Sequence, residues 1–280
     1  MTQEQIELIT TLYENGLSAK AIRQHVPYTE HTILKYLRAN GVEIRSKAGY
    51  RPPFNEHYFE KIDTEKKAYF LGYLMADGNV AEREKSQPVI RMELKSCDRK
   101  ILDELKAEWQ TEINVKETRK DCCSLRVHSR TMFNDLAKYG IVPQKTGHEK
   151  FPIELLPEDL IHHFIRGFFD GDGWATITHH GNKPLTINMG FCGNRIMLEQ
   201  LRDYFTQHLG CYPIKVGERT RWGERSEIAL GYLIYGSRKD NLTLYDYMYK
   251  DATIYLDRKK DKFLNFLPEN TERAANQPSA

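Results

Sequence analysis

The sequence predicts an α+β protein in which a duplicated αββαββα core follows a small all-α module. Three observations support this fold class. An apolar segment ending in Asp-Gly occurs twice, as FLGYLMADG at residues 70–78 and as IRGFFDGDG at residues 165–173, an offset of 95 residues. The same order of strand-like and amphipathic helical segments follows each copy. In residues 1–45, apolar residues instead recur at the spacing of short amphipathic helices.

Composition sets broad limits on what the chain can be. Its 280 residues include 40% hydrophobic and 29% charged side chains, which is enough for a packed core and is not typical of a disordered chain. The net charge of +2 neither requires nor excludes nucleic acid. The five cysteines show no C-x-x-C spacing, which favours free thiols in a reducing compartment. With no signal peptide and no apolar run long enough for a bilayer, we expect a cytoplasmic protein that does not contact membranes.

Residues 1–45 are predicted to form three short helices. The first ends at Gly16, the second begins at the potential N-cap Ser18 and ends before Pro27, and the third extends from Thr29 to Gly41. Two short helices joined by a tight turn are typical of the helix-turn-helix, although a generic three-helix bundle gives the same pattern.

The third helix and the segment that follows it carry the candidate DNA contacts of this module. Residues 46–58 contain prolines and basic side chains, which indicates an extended linker. Its charges are either solvated or lie along a DNA backbone. The candidates are Glu30, His31, Thr32, Lys35 and Arg38 on the helix, and Arg45, Lys47 and Arg51 at or in the linker.

Two repeated units are predicted at residues 59–150 and 151–267, followed by a flexible tail at residues 268–280. Each unit begins with the apolar helix, continues into a strand, and then starts an amphipathic helix at a potential cap, Asp98 or Asn194. Further strands are predicted at residues 113–119 and 124–129 and at residues 212–219 and 227–236. Ser129 and Ser237 then open another helix in each unit.

The apolar helices carry a pattern that predicts close packing between them. Each has two small residues four positions apart, which lie on one helix face and allow two backbones to approach. Close packing would place Asp77 and Asp172 side by side at the ends of the two helices. The predicted interface residues are Gly72 and Ala76 in the first copy, and Gly167 and Gly171 in the second.

Two adjacent carboxylates at helix C-termini are electrostatically unfavourable, because the helix end already carries partial negative charge and the carboxylates repel. In a single copy, Asp-Gly is more simply explained as a helix stop with a left-handed glycine. The duplication favours a shared divalent cation, Mg²⁺ or Mn²⁺, which would neutralise both acids. Cations held in this way activate water and stabilise the leaving oxygen of a phosphodiester. The pattern therefore indicates metal-dependent phosphodiester hydrolysis near a pseudo-twofold axis.

The two segments resemble the signature motifs of the LAGLIDADG homing endonucleases, and the resemblance extends over residues 59 to 266. It implies a monomer of two pseudosymmetric halves, whose saddle-shaped antiparallel sheets straddle duplex DNA and which makes a staggered double-strand break. Asp77 and Asp172, at the eighth motif position, would bind the metals together with the carbonyls of Ala76 and Gly171. At the sixth position, where the family often has Asp, the first copy has Met75. The N-terminal module resembles that of free-standing members from phage and bacterial mobile elements.

The family also implies a basic residue near each metal and basic sheet surfaces that face DNA. Several lysines are candidates for the first role, and the sequence does not separate them from solvated surface charges. They are Lys95, Lys145, Lys150, Lys259 and Lys260. The candidate DNA contacts of the strand segments are Arg91, Lys116, Arg119, Arg126, Lys215, Arg219 and Arg221.

Two other functions fit the same pattern. One is an RNA maturase of this family that assists intron splicing, and the other is a transcription regulator that binds DNA without cutting it. The presence of both Asp77 and Asp172 argues against the regulator. A helix-turn-helix favours duplex DNA over RNA, because the deep, narrow major groove of RNA excludes such a helix.

Overall fold

The protein is described by a computed structural model that covers residues 2–44, 52–83, 86–178, 186–218 and 230–264. The chain divides into two compact units, Met1–Pro52 and Pro53–Ala280. No helix of the described residues is long and apolar enough to cross a lipid bilayer. The predicted tail at residues 268–280 lies outside the described residues, as do the candidates Arg45, Lys47, Arg51, Arg219 and Arg221.

The N-terminal unit contains three helices, as predicted. They are α1 (Gln3–Glu14), α2 (Ala19–Ile22) and α3 (Glu30–Ala39), and they enclose a small core that includes Ile9, Ile22 and Ile33. The side chains of Thr2, Ser18 and Thr29 accept backbone N–H groups as N-caps. Helix α2 is shorter than predicted, because the chain continues through tight turns in which His25 N–H donates to the carbonyl of Ile22. The proline at position 27 disfavours helical backbone just before it.

The larger unit contains two copies of the predicted αββαββα arrangement. The first copy comprises α4 (Glu65–Asp77), β1 (Asn79–Arg83), β2 (Ser86–Lys95), α5 (Arg99–Glu108), β3 (Lys116–Glu117), β4 (Cys122–His128) and α6 (Arg130–Lys138). The second comprises α7 (Ile161–Asp172), β5 (Gly173–Thr178), β6 (Thr186–Asn194), α8 (Arg195–Leu209), β7 (Gly217–Glu218), β8 (Leu230–Tyr235) and α9 (Arg238–Tyr249). An unpredicted helix, α10 (Asp257–Leu264), follows.

The two antiparallel sheets have equivalent topologies, β1-β2-β4-β3 and β5-β6-β8-β7. In each sheet the residues alternate between a buried face and an open face. Strand β2, for example, buries Ile90, Met92 and Leu94. The buried faces and the helices share one core. The predicted α+β class with two antiparallel sheets is therefore confirmed, although β3 and β7 are much shorter than the patterns suggested.

Three of the four predicted helix caps in this unit are correct. The side chains of Ser129, Asn194 and Ser237 accept backbone N–H groups at the starts of α6, α8 and α9. The prediction for Asp98 is wrong, because its side chain makes no cap hydrogen bond. Its carboxylate instead accepts from Arg258 Nε at 3.1 Å and from Nη2 at 2.9 Å. An ion pair with a distant helix thus replaces a local cap.

Helices α4 and α7 pack backbone against backbone along the predicted small residues. A Cβ atom at Gly72 would overlap the carbonyl oxygen of Phe164, and a Cβ atom at Gly167 would overlap that of Tyr69. A Cβ atom at Gly171 would overlap the side chain of Ala76. Only glycine fits at the two crossing positions, because backbone cannot move aside as a flexible side chain can.

We therefore predict that Gly72→Leu or Gly167→Leu prevents normal packing of α4 against α7. The added bulk should lower the free energy of unfolding by about 1–3 kcal/mol or more, as measured by urea denaturation. Ala107→Leu also introduces a leucine, on an exposed face of α5, and serves as the control. An unchanged melting temperature in both glycine variants would contradict the packing argument.

Candidate active site

Asp77 and Asp172 are the last residues of α4 and α7. Strand β5 follows Asp172 directly, and only Gly78 lies between Asp77 and β1. The next residues are not left-handed helix stops. Gly78 has φ −67° and ψ 139°, and Gly173 has φ −90° and ψ 166°, both of which are extended conformations. Glycine is required there for space, since a Cβ atom at Gly78 would overlap the carbonyl oxygen of Leu74. The chain therefore turns tightly against the last helical turn at this glycine.

The packing of α4 against α7 brings these two acids together. An added Cβ atom on Gly171 would lie 3.6 Å from both the backbone nitrogen and Oδ2 of Asp77. Asp77 is exposed and Asp172 is half-buried, yet both face protein atoms that displace water around them. This desolvation raises the pKa of Asp77, although nearby lysines and Arg258 oppose the shift. Desolvation and then the charge of Asp77 raise the pKa of Asp172 to about 6.

The carboxylate oxygens of Asp77 and Asp172 are suitable ligands for a divalent cation. Among the described residues, no donor hydrogen-bonds to the carboxylate of Asp77 or Asp172, so their oxygens keep their lone pairs. Two such carboxylates with raised pKa values form an electrostatically frustrated pair. Hard oxygen ligands of this kind suit Mg²⁺ or Mn²⁺. The structure therefore supports the pair as a site that a cation would stabilise.

Two lysines reach the carbonyls at the ends of the same helices. Lys145, 7% exposed, donates from Nζ to the carbonyl of Ala76 at 2.9 Å. Lys259 is 4% exposed and is carried by α10. It donates to the backbone carbonyls of Phe169 and Gly173 at 2.6 Å and to that of Asp170 at 2.7 Å. Positive charge at a helix C-terminus offsets the partial negative charge of its carbonyls. Each of the two helices therefore has one buried lysine at its terminal carbonyls. The charges of both lysines act on both acids, and they lower the pKa values of Asp77 and Asp172 against the effect of burial.

The two lysines have different hydrogen-bonding states. An ammonium group has three N–H donors. Lys259 uses all three in its short contacts, and its contact with the carbonyl of Gly171 is longer, at 3.4 Å. Among the described residues, Lys145 donates to one carbonyl, which leaves two donors for other partners. Burial lowers the pKa of both lysines, that of Lys259 to about 8, while the acids oppose this shift.

The carbonyls predicted to help bind metal, those of Ala76 and Gly171, are thus already partners of these lysines. Each carbonyl oxygen has two lone pairs, so each keeps one for another interaction.

Solved structures share the fold of this chain. The LAGLIDADG meganuclease I-AabMI, bound to uncleaved DNA, aligns with a TM-score of 0.52 at 11% sequence identity, over 74% of this chain and 91% of that chain. The meganuclease I-SmaMI, bound to uncleaveable DNA, aligns with a TM-score of 0.51 at 12% identity, over 76% of this chain and 97% of that chain. The larger unit has the LAGLIDADG fold. At the level of sequence, no protein-family profile matches the chain, and no curated protein matches it either.

The two copies have different residues at the sixth position of the LAGLIDADG motif, Met75 in the first and Asp170 in the second. Asp170 is buried and accepts from the hydroxyl of Tyr69 at 2.9 Å and from the N–H of Leu256 at 2.8 Å. Leu256 lies at the start of α10, so Asp170 fixes the helix that carries Lys259. In the first copy, Met75 is buried as part of the apolar core.

Glu149 was missed by the sequence analysis. It is buried, accepts the N–H of Gly147 at 2.8 Å, and its charge favours the ammonium form of Lys145 by raising its pKa against burial. The carbonyl of Gly147 in turn accepts from the side chain of Asn194, so the segment that carries Lys145 is tied to the second copy. The only sequence signal was an acid four residues after a lysine, which is common on any surface.

The other catalytic candidates lie on the surface. Lys95 and Lys150 are exposed, and neither contributes to the pKa shifts of the two acids. Lys260 stacks on Tyr255, with its Nζ 3.8 Å from the ring centroid. The structure therefore brings only Lys145 and Lys259 of the five lysines to the acid pair.

The predicted DNA contacts are distributed over both units. Arg91 is half-buried on the open face of the first sheet, while Lys116, Arg119, Arg126 and Lys215 are exposed. Glu93 pairs with Arg119 at 3.1 Å and with Arg91 at 3.6 Å. On α3, His31, Lys35 and Arg38 are exposed and Glu30 is half-buried, whereas the hydroxyl of Thr32 pairs with that of Thr29 at 2.9 Å.

A second group of possible metal ligands, His162, His163 and Asp251, lies at the opposite end of α7. Arg166 Nη1 is 2.7 Å from Nδ1 of His163, and a guanidinium can only donate. His163 must therefore carry its proton on Nε2, which leaves the ring without a free lone pair. Burial and the charge of Arg166 lower the pKa of His163 to about 4, so it stays neutral. This group is explained by hydrogen bonding alone.

We predict that Asp172→Asn stabilises the metal-free protein. The carboxyl group of Asp172 has a pKa of about 6 in the folded protein, against an ordinary value of 3.8. Its ionisation therefore lowers the free energy of unfolding, with the full effect above pH 6 and no effect below pH 3.8. The gain should be about 1–2 kcal/mol at pH 7 and should vanish near pH 3.5. Mg²⁺ should raise the melting temperature of the wild type but not of the variant. The exposed Asp246→Asn on α9 is the control. A destabilised Asp172→Asn at pH 7 would contradict the frustration of the pair.

We also predict that Lys259→Met costs more stability than Lys145→Met. The first variant removes the lysine donor from three carbonyls, of which that of Phe169 keeps the N–H of Gly173, whereas the second removes it from one. Each carbonyl left without a donor costs about 1–3 kcal/mol. Urea denaturation at pH 7 measures both, and the exposed Lys150→Met should behave like the wild type. Equal losses in the two buried variants would show that the lysines have equivalent roles.

Proposed function

We propose that this protein is a homing endonuclease, a site-specific enzyme that makes a metal-dependent, staggered double-strand break in a long duplex DNA target. The observation that carries the proposal is the pair of carboxylates at the ends of two tightly packed helices. Their oxygens accept no hydrogen bond from the described residues, and two buried lysines bind the helix carbonyls beside them. This arrangement suits the charge that develops when a phosphodiester is hydrolysed. The DNA-bound nucleases that share the fold support the same substrate.

The residues divide the chemistry between them. Asp77 and Asp172 would hold Mg²⁺ or Mn²⁺, and the bound cations would supply an activated water and stabilise the leaving oxygen. Within the described part of the chain Lys145 has one acceptor, so two of its N–H donors would be available to a DNA phosphate or to a water molecule. Lys259 holds the end of α7, and therefore Asp172, in place. One chain contains both acids, so a monomer suffices to cut both strands.

The N-terminal unit is proposed to extend the recognised DNA. The helix α3 presents His31, Lys35 and Arg38 on its exposed side, as a recognition helix in a major groove would. Arg45, Lys47 and Arg51 would follow the phosphate backbone between the units. Tethering makes the second binding event intramolecular, so this unit contributes affinity without taking part in the chemistry.

Duplex cleavage in Mg²⁺ should be suppressed in Asp77→Asn and in Asp172→Asn, while DNA binding stays close to wild type. Each change removes a ligand charge without altering side-chain size. The measurement is a plasmid cleavage assay with separate quantification of nicked and linear product, alongside a gel-shift titration and a chelator control. Asp246→Asn should cut normally. Cleavage of both strands at the wild-type rate by either variant would remove that acid from the mechanism, and binding without any cleavage by the wild type would favour the regulator.

A chain that starts at Pro53 should bind the target about tenfold to a thousandfold more weakly and protect a shorter footprint. Its affinity should also depend less steeply on salt, since fewer phosphates are neutralised. At high protein concentration it should still cut at the same phosphates. An unchanged footprint and affinity would exclude the N-terminal unit from recognition, and a folded truncation that binds but does not cut would place that unit in catalysis.

A further inference from the structure

The open faces of the two sheets differ in chemistry. On the first sheet, β2 and β4 place Arg91 directly opposite Arg126. Like charges at paired positions are destabilising unless a partner lies between them. Glu93 neutralises only part of this charge, at 3.6 Å from Arg91, and the buried Nε of Arg91 has no acceptor among the described residues. This face is therefore prepared for a ligand that accepts hydrogen bonds.

The second sheet has no such group on its described strands. Trp174 pairs with Gly190, and Gly190 pairs with Ile234, so these residues share the open face. The ring of Trp174 covers Gly190, since a Cβ atom there would collide with it. Thr176 pairs with Asn188, and Cys192 with the exposed Tyr232. No lysine or arginine occurs in the described strands β5, β6, β7 and β8, and their one charged residue is Glu218.

This contrast is a property of the strands. Residues 219–229, which include Arg219 and Arg221, lie outside the described residues. The central strand pairs β2/β4 and β6/β8 occupy equivalent places in the two sheets. Strands β1 and β5 begin directly after the acids, so DNA bound at the acids continues across both faces.

The two surfaces favour different base pairs. Arginine donates two hydrogen bonds to O6 and N7 of guanine, which is the commonest specific contact in the major groove. Asparagine pairs with N6 and N7 of adenine, and apolar or threonine side chains contact the thymine methyl group. Asn188 pairs with Thr176 and shares its face with Ile234 and Trp174, and no guanidinium occurs in the described strands of this sheet.

We propose that the two halves of the target differ in composition: the half-site under the first sheet contains G·C pairs read by Arg91 and Arg126, and the half-site under the second sheet is rich in A·T pairs read by Asn188 and its uncharged neighbours. This inference rests on the proposed DNA-binding function and adds the kind of sequence that each half recognises. It also makes the target asymmetric despite the pseudosymmetric fold.

The test is a selection from a randomised duplex library with the full chain, once by binding in chelator and once by cleavage in Mg²⁺. We expect the selected sites to be G·C-containing on one side of the centre and A·T-rich on the other. Arg126→Ala should then relax the preference for guanine at a position in the first half only, by about tenfold or more. Asn188→Ala should relax an adenine in the other half only. Lys100→Ala, an exposed change on α5, should alter neither.

Equal base composition in the two half-sites would overturn the inference, as would an Arg126→Ala variant that binds every sequence more weakly by the same factor, since that is the behaviour of a phosphate contact. If the library is bound with the expected asymmetry but is never cut, the inference holds and the nuclease assignment fails. If no duplex is bound at all, both fail.

Discussion

The close approach of α4 and α7 is the constraint on which the rest of the larger unit depends. At Gly72 and Gly167 each backbone occupies the volume where the other helix would carry a Cβ atom. Such contact fixes the crossing point of the helices and brings their C-terminal ends together. Asp77 and Asp172 are the last residues of these helices. The position of each acid is therefore set by the glycine contact about one to two turns earlier in the same helix.

This geometry stores electrostatic strain. Two desolvated carboxylates share one end of a helix pair, where the terminal carbonyls of the helices add partial negative charge. The protein offsets part of the strain with Lys145 and Lys259, which give up much of their own hydration and have lowered pKa values as a result. The remaining strain makes the site a good acceptor for a cation. Stability is thus exchanged for binding capacity at the one place where the proposed chemistry occurs.

The duplication has not kept the two halves equivalent. Asp170 fixes the start of α10, while the corresponding Met75 simply fills the core. Lys259 is held by three short hydrogen bonds, whereas Lys145 makes one and depends on Glu149 and on a contact with Asn194 through Gly147. The open faces of the described strands differ in charge. A single chain could diverge in this way if each copy met its own half of the proposed DNA target, while the glycines at the helix interface are required in both copies.

The sequence by itself determined the architecture of the larger unit and the place of its acid pair. Small residues four positions apart, strand alternation and Ser or Asn caps are patterns that lie within one helix or one strand. They can therefore be recognised locally, even though the glycines act through a contact between two helices that are distant in sequence. The sequence did not distinguish among the five candidate lysines. It wrongly predicted a helix cap at Asp98 and gave no indication of Glu149. Only the tertiary structure selected Lys145 and Lys259, because their role depends on burial against carbonyls 69 and 86 to 90 residues away along the chain. Asp98 serves an arginine 160 residues away, and contacts at that distance leave no period in a sequence.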